Sequence, residues 1–152
     1  MGINPDYRDH DFYHRIISKD SERVIERFKS AQINGITIVQ QEIDMYHVIR
    51  HVYRHGPVIL LTDANSLTCD DCKIMRFNPG DLKCFTSLSK LYHGHFVIVM
   101  GYDLSEQKVF YRNPCFKQRI CTTSFISLDS AWKHEGTDQD AIFIHHYDMG
   151  SS

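Results

Sequence analysis

The stretch His95-Phe96-Val97-Ile98-Val99-Met100-Gly101-Tyr102, with Val109-Phe110-Tyr111 following it, decides the fold. Both runs are apolar and rich in β-branched and aromatic side chains. The polar segment Asp103-Leu104-Ser105-Glu106-Gln107 between them predicts a β-hairpin with a longer connection. Upstream, Val58-Ile59-Leu60-Leu61 is a continuous apolar run of strand length, and downstream Ala141-Ile142-Phe143-Ile144 is another. Turn-forming segments separate all of these runs, and only a sheet joins them compactly. Val97, Val99, Val109, Tyr111, Ile142 and Ile144 are therefore expected in one predominantly antiparallel sheet.

Helical spacing fills the rest of the chain. From Ser21 to Ile33, the residues Val24, Ile25, Phe28 and Ala31 share a stripe, and Asn34-Gly35 supplies the stop. Ile36-Thr37-Ile38-Val39 has strand composition. From Glu42 to Arg54, Ile43, Tyr46, Ile49 and Tyr53 return to helical spacing before Gly56-Pro57. A short helix is expected from about Leu128 to His134, with Trp132 in the core. Helices early and strands late predict an α+β fold, a predominantly antiparallel sheet with packed helices. One domain is expected over residues 1–152, with its core at about 12–146.

Composition narrows the function. The chain has 152 residues and is 42% hydrophobic, which supports one core and is too short for two ordinary domains. Its 17 basic residues nearly balance 19 acidic ones, and neither sign forms a block, which argues against sequence-general nucleic-acid binding. No apolar run approaches a membrane span, and the first residues carry neither a signal core nor the Ser or Thr of a myristoylation motif. The expectation is a cytoplasmic, or also nuclear, protein whose partner is a protein or peptide. Five cysteines cannot all pair within one chain. Free thiols or a metal are expected ahead of a disulfide framework.

Five short motifs occur in a fixed order: Leu67-Thr68-Cys69-Asp70-Asp71-Cys72, Gly94-His95-Phe96-Val97-Ile98-Val99 with Gly101-Tyr102-Asp103, Tyr111-Arg112-Asn113-Pro114, Cys121-Thr122-Thr123-Ser124, and Gly136-Thr137-Asp138. This collinear set resembles the guanylyl cyclase domain-containing protein family, from about Phe12 to Ile144. That family in turn resembles the papain-like cysteine peptidases, especially those that cut double-glycine leaders. There, a His opening an apolar strand pairs with an Asp or Asn on the next strand, and the matching positions are His95 and Asn113. The resemblance implies a papain-like cysteine-peptidase scaffold, N-terminally incomplete, because the family's Cys-bearing helix would lie before this sequence begins. The His95–Asn113 pair is thus expected as a relic or an incomplete triad, non-catalytic in this chain or dependent on that segment.

The residues themselves allow this chemistry. In Cys/His catalysis the imidazole draws the thiol proton while a third polar group fixes the ring's tautomer. His95 opens its strand and Asn113 follows the return strand, so antiparallel pairing can bring them to one face. The plain alternative is a strand-end histidine and a turn-forming asparagine before Pro114.

Two further readings stand beside it. Conversion of GTP to cyclic GMP, implied by the family's name, requires carboxylates that hold Mg or Mn. Asp63, Asp70, Asp71, Asp103, Asp138 and Asp140 are candidates, but no phosphate-cradling GxxxxGK[ST] or GxGxxG motif is present. The other is a zinc-stapled protein-interaction module: Cys69 and Cys72 have knuckle spacing, and Cys84 with His93 could complete a structural Zn site. Buried cysteines acting as small hydrophobes, or a redox pair, compete with it, and Cys115 and Cys121 read as core or turn residues. His47, His51 and His55 recur every four residues, so two could share a metal. The expected apolar stripe of their helix leaves them on its polar face.

Overall fold

The computed structural model describes residues 21–71, 92–116 and 119–145. The chain falls into two compact units, Met1–Glu42 and Ile43–Ser152. In the first, residues 21–29 form helix α1. The turn that follows ends at Gly35, whose φ of 73° suits a residue without a Cβ. The Ile36–Val39 run, expected as a strand, is extended chain outside any ladder, with Ile36, Ile38 and Val39 exposed. β-branched composition favours a strand only where a pleated, half-buried surface receives it.

The second unit begins with helix α2, Met45–Arg54. Asp44 caps it by accepting the His47 backbone N–H, and the His47 side chain completes the capping box. Strand β1 (Val58–Asp63) follows, then β2 (Gly94–Asp103), β3 (Lys108–Arg112) and β4 (Cys121–Ser124). Helix α3 (Phe125–Trp132) starts at once, capped by the Ser124 side chain, and β5 (Ala141–Phe143) ends the described fold. The strands form one five-stranded sheet in the order β4-β3-β2-β1-β5, with every neighbour antiparallel. This is the α+β architecture the sequence predicts.

Alternation selects one face of the sheet for the core. Val58 and Leu60 of β1 pair with Val99 and Val97 of β2, and all four are buried. Val99 also pairs with Tyr111 of β3, which pairs with Cys121 of β4, and both are buried as well. Val48 and Ile49 of α2 and Leu128, Ala131 and Trp132 of α3 complete the same cluster. Each fully buried large side chain there contributes about 1.5–3 kcal/mol relative to exposure. The other face carries Phe96, Ile98, Met100 and Ile142, all exposed. Among the described residues, no helix is long and apolar enough to cross a membrane.

The connection from α3 to β5 depends on one glycine. Gly136 has φ 99°, and a Cβ there would lie 2.7 Å from Cγ of the Tyr92 ring. Gly136→Ala is expected to destabilise the unit by about 1–3 kcal/mol, from a backbone that L side chains avoid plus a ring that must move. Comparison of urea midpoints checks this; an unchanged midpoint would refute it.

Candidate functional site

The register that builds the core also delivers a polar pair to its edge. Val97, Val99, Val109 and Tyr111 point inward, and the same alternation carries His95 and Asn113 to that face at one end of the sheet. His95 Nε2 lies 2.9 Å from Asn113 Oδ1. The Cys115 backbone N–H donates to the same oxygen at 2.9 Å. A backbone N–H can only donate, so this contact fixes which atom of the amide is the oxygen. The neutral His95 ring therefore carries its proton on Nε2 and keeps a basic lone pair on Nδ1. Asn113 is 2% exposed, and its Nδ2 is buried with no hydrogen-bond partner among the described residues.

The strand entry that holds His95 is anchored by its neighbours. Thr62, opposite His95 in the ladder, donates its hydroxyl to the His95 carbonyl at 2.9 Å. Asp63 accepts the His93 backbone N–H on Oδ1 at 3.0 Å, and the Ala64 N–H returns to the His93 carbonyl at 2.9 Å. The other oxygen of Asp63 accepts the backbone N–H and hydroxyl of Ser66 at 3.1 and 2.8 Å. Burial pushes the Asp63 carboxyl up, but the His93 and Ser66 donors outweigh it and hold the group below the ordinary carboxylate range. Asp63, a candidate metal-holding carboxylate from the sequence, thus anchors the entry of β2.

The remaining carboxylates are dispersed. Asp70 pairs with Lys108 at 3.7 Å. Asp103 closes the hairpin by accepting from Ser105 and Glu106, and the Ser105 hydroxyl leads in lowering its pKa. Asp138 occupies a positive-φ turn at 51°, and burial pushes the Asp140 carboxyl up. Asp71 is exposed. Among the described residues, no group of three or more potential metal-ligating side chains includes a carboxylate.

The cysteines separate into two kinds. Cys69 and Cys121 form no disulfide and are buried within the hydrophobic cluster. Cys115, read from the sequence as a core or turn residue, is disulfide-bonded. Of the expected Cys69–Cys72–Cys84–His93 zinc set, Cys72 and Cys84 lie outside the described residues. Cys69 sits at 5% exposure among apolar side chains, next to Thr68, whose carbonyl accepts the Tyr111 hydroxyl.

The histidines of α2 depart from the expected polar face. The buried stripe is Met45, Val48 and Ile49, while Tyr46 and Tyr53 are exposed, so the stripe is rotated by about one residue, roughly 100°. This turns His51 inward, to 8% exposure. His47 instead bonds its own cap, with Nδ1 2.6 Å from Asp44 Oδ1. Sequence reasoning did not single out Thr62, His134 or His145. His134 Nε2 stands 3.8 Å from Asp63, and His145 meets His51 and His55. Only the position of His145 just past a predicted strand could have flagged it.

The chain matches the family model described as guanylylate cyclase over residues 1–144. A curated relative, guanylyl cyclase 1 of Arabidopsis thaliana, is 26% identical over 145 residues, covering 95% of this chain and 51% of that protein. The chain thus spans about half the length of that relative. No solved structure matches it.

Proposed function

Because the chain belongs to the guanylylate cyclase family, we propose that its sheet carries the histidine–asparagine part of a papain-like thiol-hydrolase site that binds a peptide. The observation that supports this is the 2.9 Å bond between His95 Nε2 and Asn113 Oδ1, with the amide oxygen locked by Cys115 N–H. That bond leaves Nδ1 basic and orients the ring, which is what a base for a thiol needs. In the reaction, Nδ1 takes the thiol proton and the thiolate adds to the peptide carbonyl. The imidazolium then protonates the departing amine, and water, deprotonated by the same nitrogen, releases the acyl group. Cys69 and Cys121 are packed in the core and Cys115 is disulfide-bonded. The attacking thiol in this reading comes from outside the described residues, in a part of the family this chain does not span.

The second reading, conversion of GTP to cyclic GMP, is favoured by the relative's name. It needs carboxylates that converge on metal ions, and among the described residues no group of three or more potential ligands includes a carboxylate. The two readings separate by assay. Residues 1–152 alone are expected to hydrolyse no quenched fluorescent peptide. A longer family protein should be labelled by a peptidyl thiol-directed electrophile, and His95→Ala should abolish that labelling. Cyclic GMP formation with Mg or Mn that survives His95→Ala would overturn the thiol-hydrolase reading in favour of the cyclase.

A further inference from the structure

At the opposite end of β1 from His95, three imidazoles meet. His51 and His55 stand one turn apart on α2 and at its C-cap, and His145 lies two residues past β5. One ring nitrogen from each lies within 4.8 Å of one from each of the others. Ring centroids are 5.1 Å apart for His51 and His55, 4.7 Å for His51 and His145, and 4.9 Å for His55 and His145. We propose that His51, His55 and His145 form a three-histidine site for a zinc ion.

His51 is held as a ligand should be. Its Nε2 lies 2.9 Å from the Ile144 carbonyl, which can only accept, so Nε2 carries the proton and Nδ1 presents the lone pair. A backbone carbonyl on the far nitrogen is a common orienting partner of metal-binding histidines. The ring also packs edge-to-face on Phe143, centroids 4.8 Å apart. Ile144 in turn is tied by its N–H to the Pro57 carbonyl at 3.2 Å, which fixes the chain just before His145. Burial, then charge repulsion from His145 and His55, lowers the His51 pKa and favours the neutral, ligating form.

The other two rings are free to complete the site. Tetrahedral coordination with zinc–nitrogen bonds of about 2.0–2.1 Å sets nitrogen–nitrogen separations of about 3.3 Å. The ring nitrogens already lie within 4.8 Å of one another, and His55 and His145, both exposed, can turn toward the buried His51 to reach that spacing. A set of imidazoles without carboxylate or thiolate selects zinc, copper or nickel over magnesium, calcium or manganese. Three protein nitrogens leave a fourth position for water, the open arrangement of reactive zinc sites. The site is independent of His95: four residue steps along β1, from Val58 beside Phe143 to Thr62 beside His95, set the two about 13 Å apart along the strand.

The test is zinc titration of the untagged, chelator-treated and dialysed chain, followed by calorimetry and elemental analysis. One equivalent is expected. His55→Gln and His145→Gln should each weaken it at least about tenfold, whereas Cys69→Ser and Cys72→Ser should leave it unchanged. Cobalt in place of zinc should give a spectrum without a thiolate charge-transfer band. Both glutamine substitutions fall on exposed side chains, and a wild-type urea midpoint in metal-free buffer verifies the fold. No saturable equivalent, undiminished affinity in the His55→Gln/His145→Gln double variant, or loss of binding in Cys72→Ser would overturn the proposal.

Discussion

Trp132→Ala is expected to lower the unfolding free energy of the sheet-bearing unit by about 3–5 kcal/mol. That is a large part of the roughly 5–15 kcal/mol that holds an ordinary domain together. Trp132 ends α3 at 0% exposure, within the cluster that joins both helices to the sheet. Its Nε1–H donates to the Asp140 carbonyl at 3.2 Å, and the same oxygen accepts the Leu61 N–H of β1 at 3.0 Å. The Trp132 carbonyl accepts the Thr137 hydroxyl, so the residue also fastens the turn toward β5. Truncation to alanine leaves a cavity beneath β1 and removes the indole bond to the Asp140 carbonyl, while the backbone carbonyl that holds Thr137 remains. Trp132→Phe retains much of the volume but loses the N–H bond, and should cost about 1–2 kcal/mol beyond which little is lost. The chain has one tryptophan, so unfolding must be followed by circular dichroism rather than indole fluorescence. A Trp132→Ala midpoint equal to the wild type's would show that the indole does not support this core.

What the sequence revealed and what it hid follow from where each signal resides. The hairpin of β2 and β3 was legible because alternation and a polar turn are local, and the register then followed from which face is apolar. The same parity made the meeting of His95 and Asn113 readable before any coordinates. Helix ends were less so: α3 starts at Phe125 rather than Leu128 because Ser124, ending β4, caps it directly. Ile36–Val39 has strand composition, but pairing is a tertiary property and no ladder receives it. The inward turn of His51 was hidden for a related reason. Tyr46 and Tyr53 count as apolar in a periodic stripe, yet amphipathic rings lie comfortably at the surface, and Met45 and Val48 take the core instead. The joining of His145 to α2 depends on β5 pairing beside β1, a long-range contact that no spacing in the chain encodes.

Asp63→Ala is expected to cost about 3 kcal/mol and to loosen the His95–Asn113 pair without touching either residue. The carboxylate is 1% exposed and accepts from the His93 and Ser66 backbone N–H groups, the Ser66 hydroxyl and the Asn65 amide. Alanine would leave the part-buried donors of His93 and Ser66 without their acceptor at the entry of β2, two residues before His95. The pH dependence has a definite sign. Asp63 titrates lower in the fold than in the unfolded chain, so its stabilisation is complete above about pH 4 and is lost as pH falls through the depressed folded value. His51 is also depressed, chiefly by burial, and its contribution is complete above 6.5 and is lost as pH falls through its own folded value. The wild type should therefore weaken in two steps on acidification. Asp63→Asn, which keeps the shape but not the charge, should shrink the lower step, to which Asp103 and Asp44 also contribute, and leave the upper one. Urea titrations from pH 8 to pH 3 measure both, and imidazole nitrogen shifts report the His95 tautomer. A lower step of unchanged size in Asp63→Asn would assign the acid sensitivity to the other carboxylates, and an undisturbed His95 signal in Asp63→Ala would remove Asp63 from the positioning of the site.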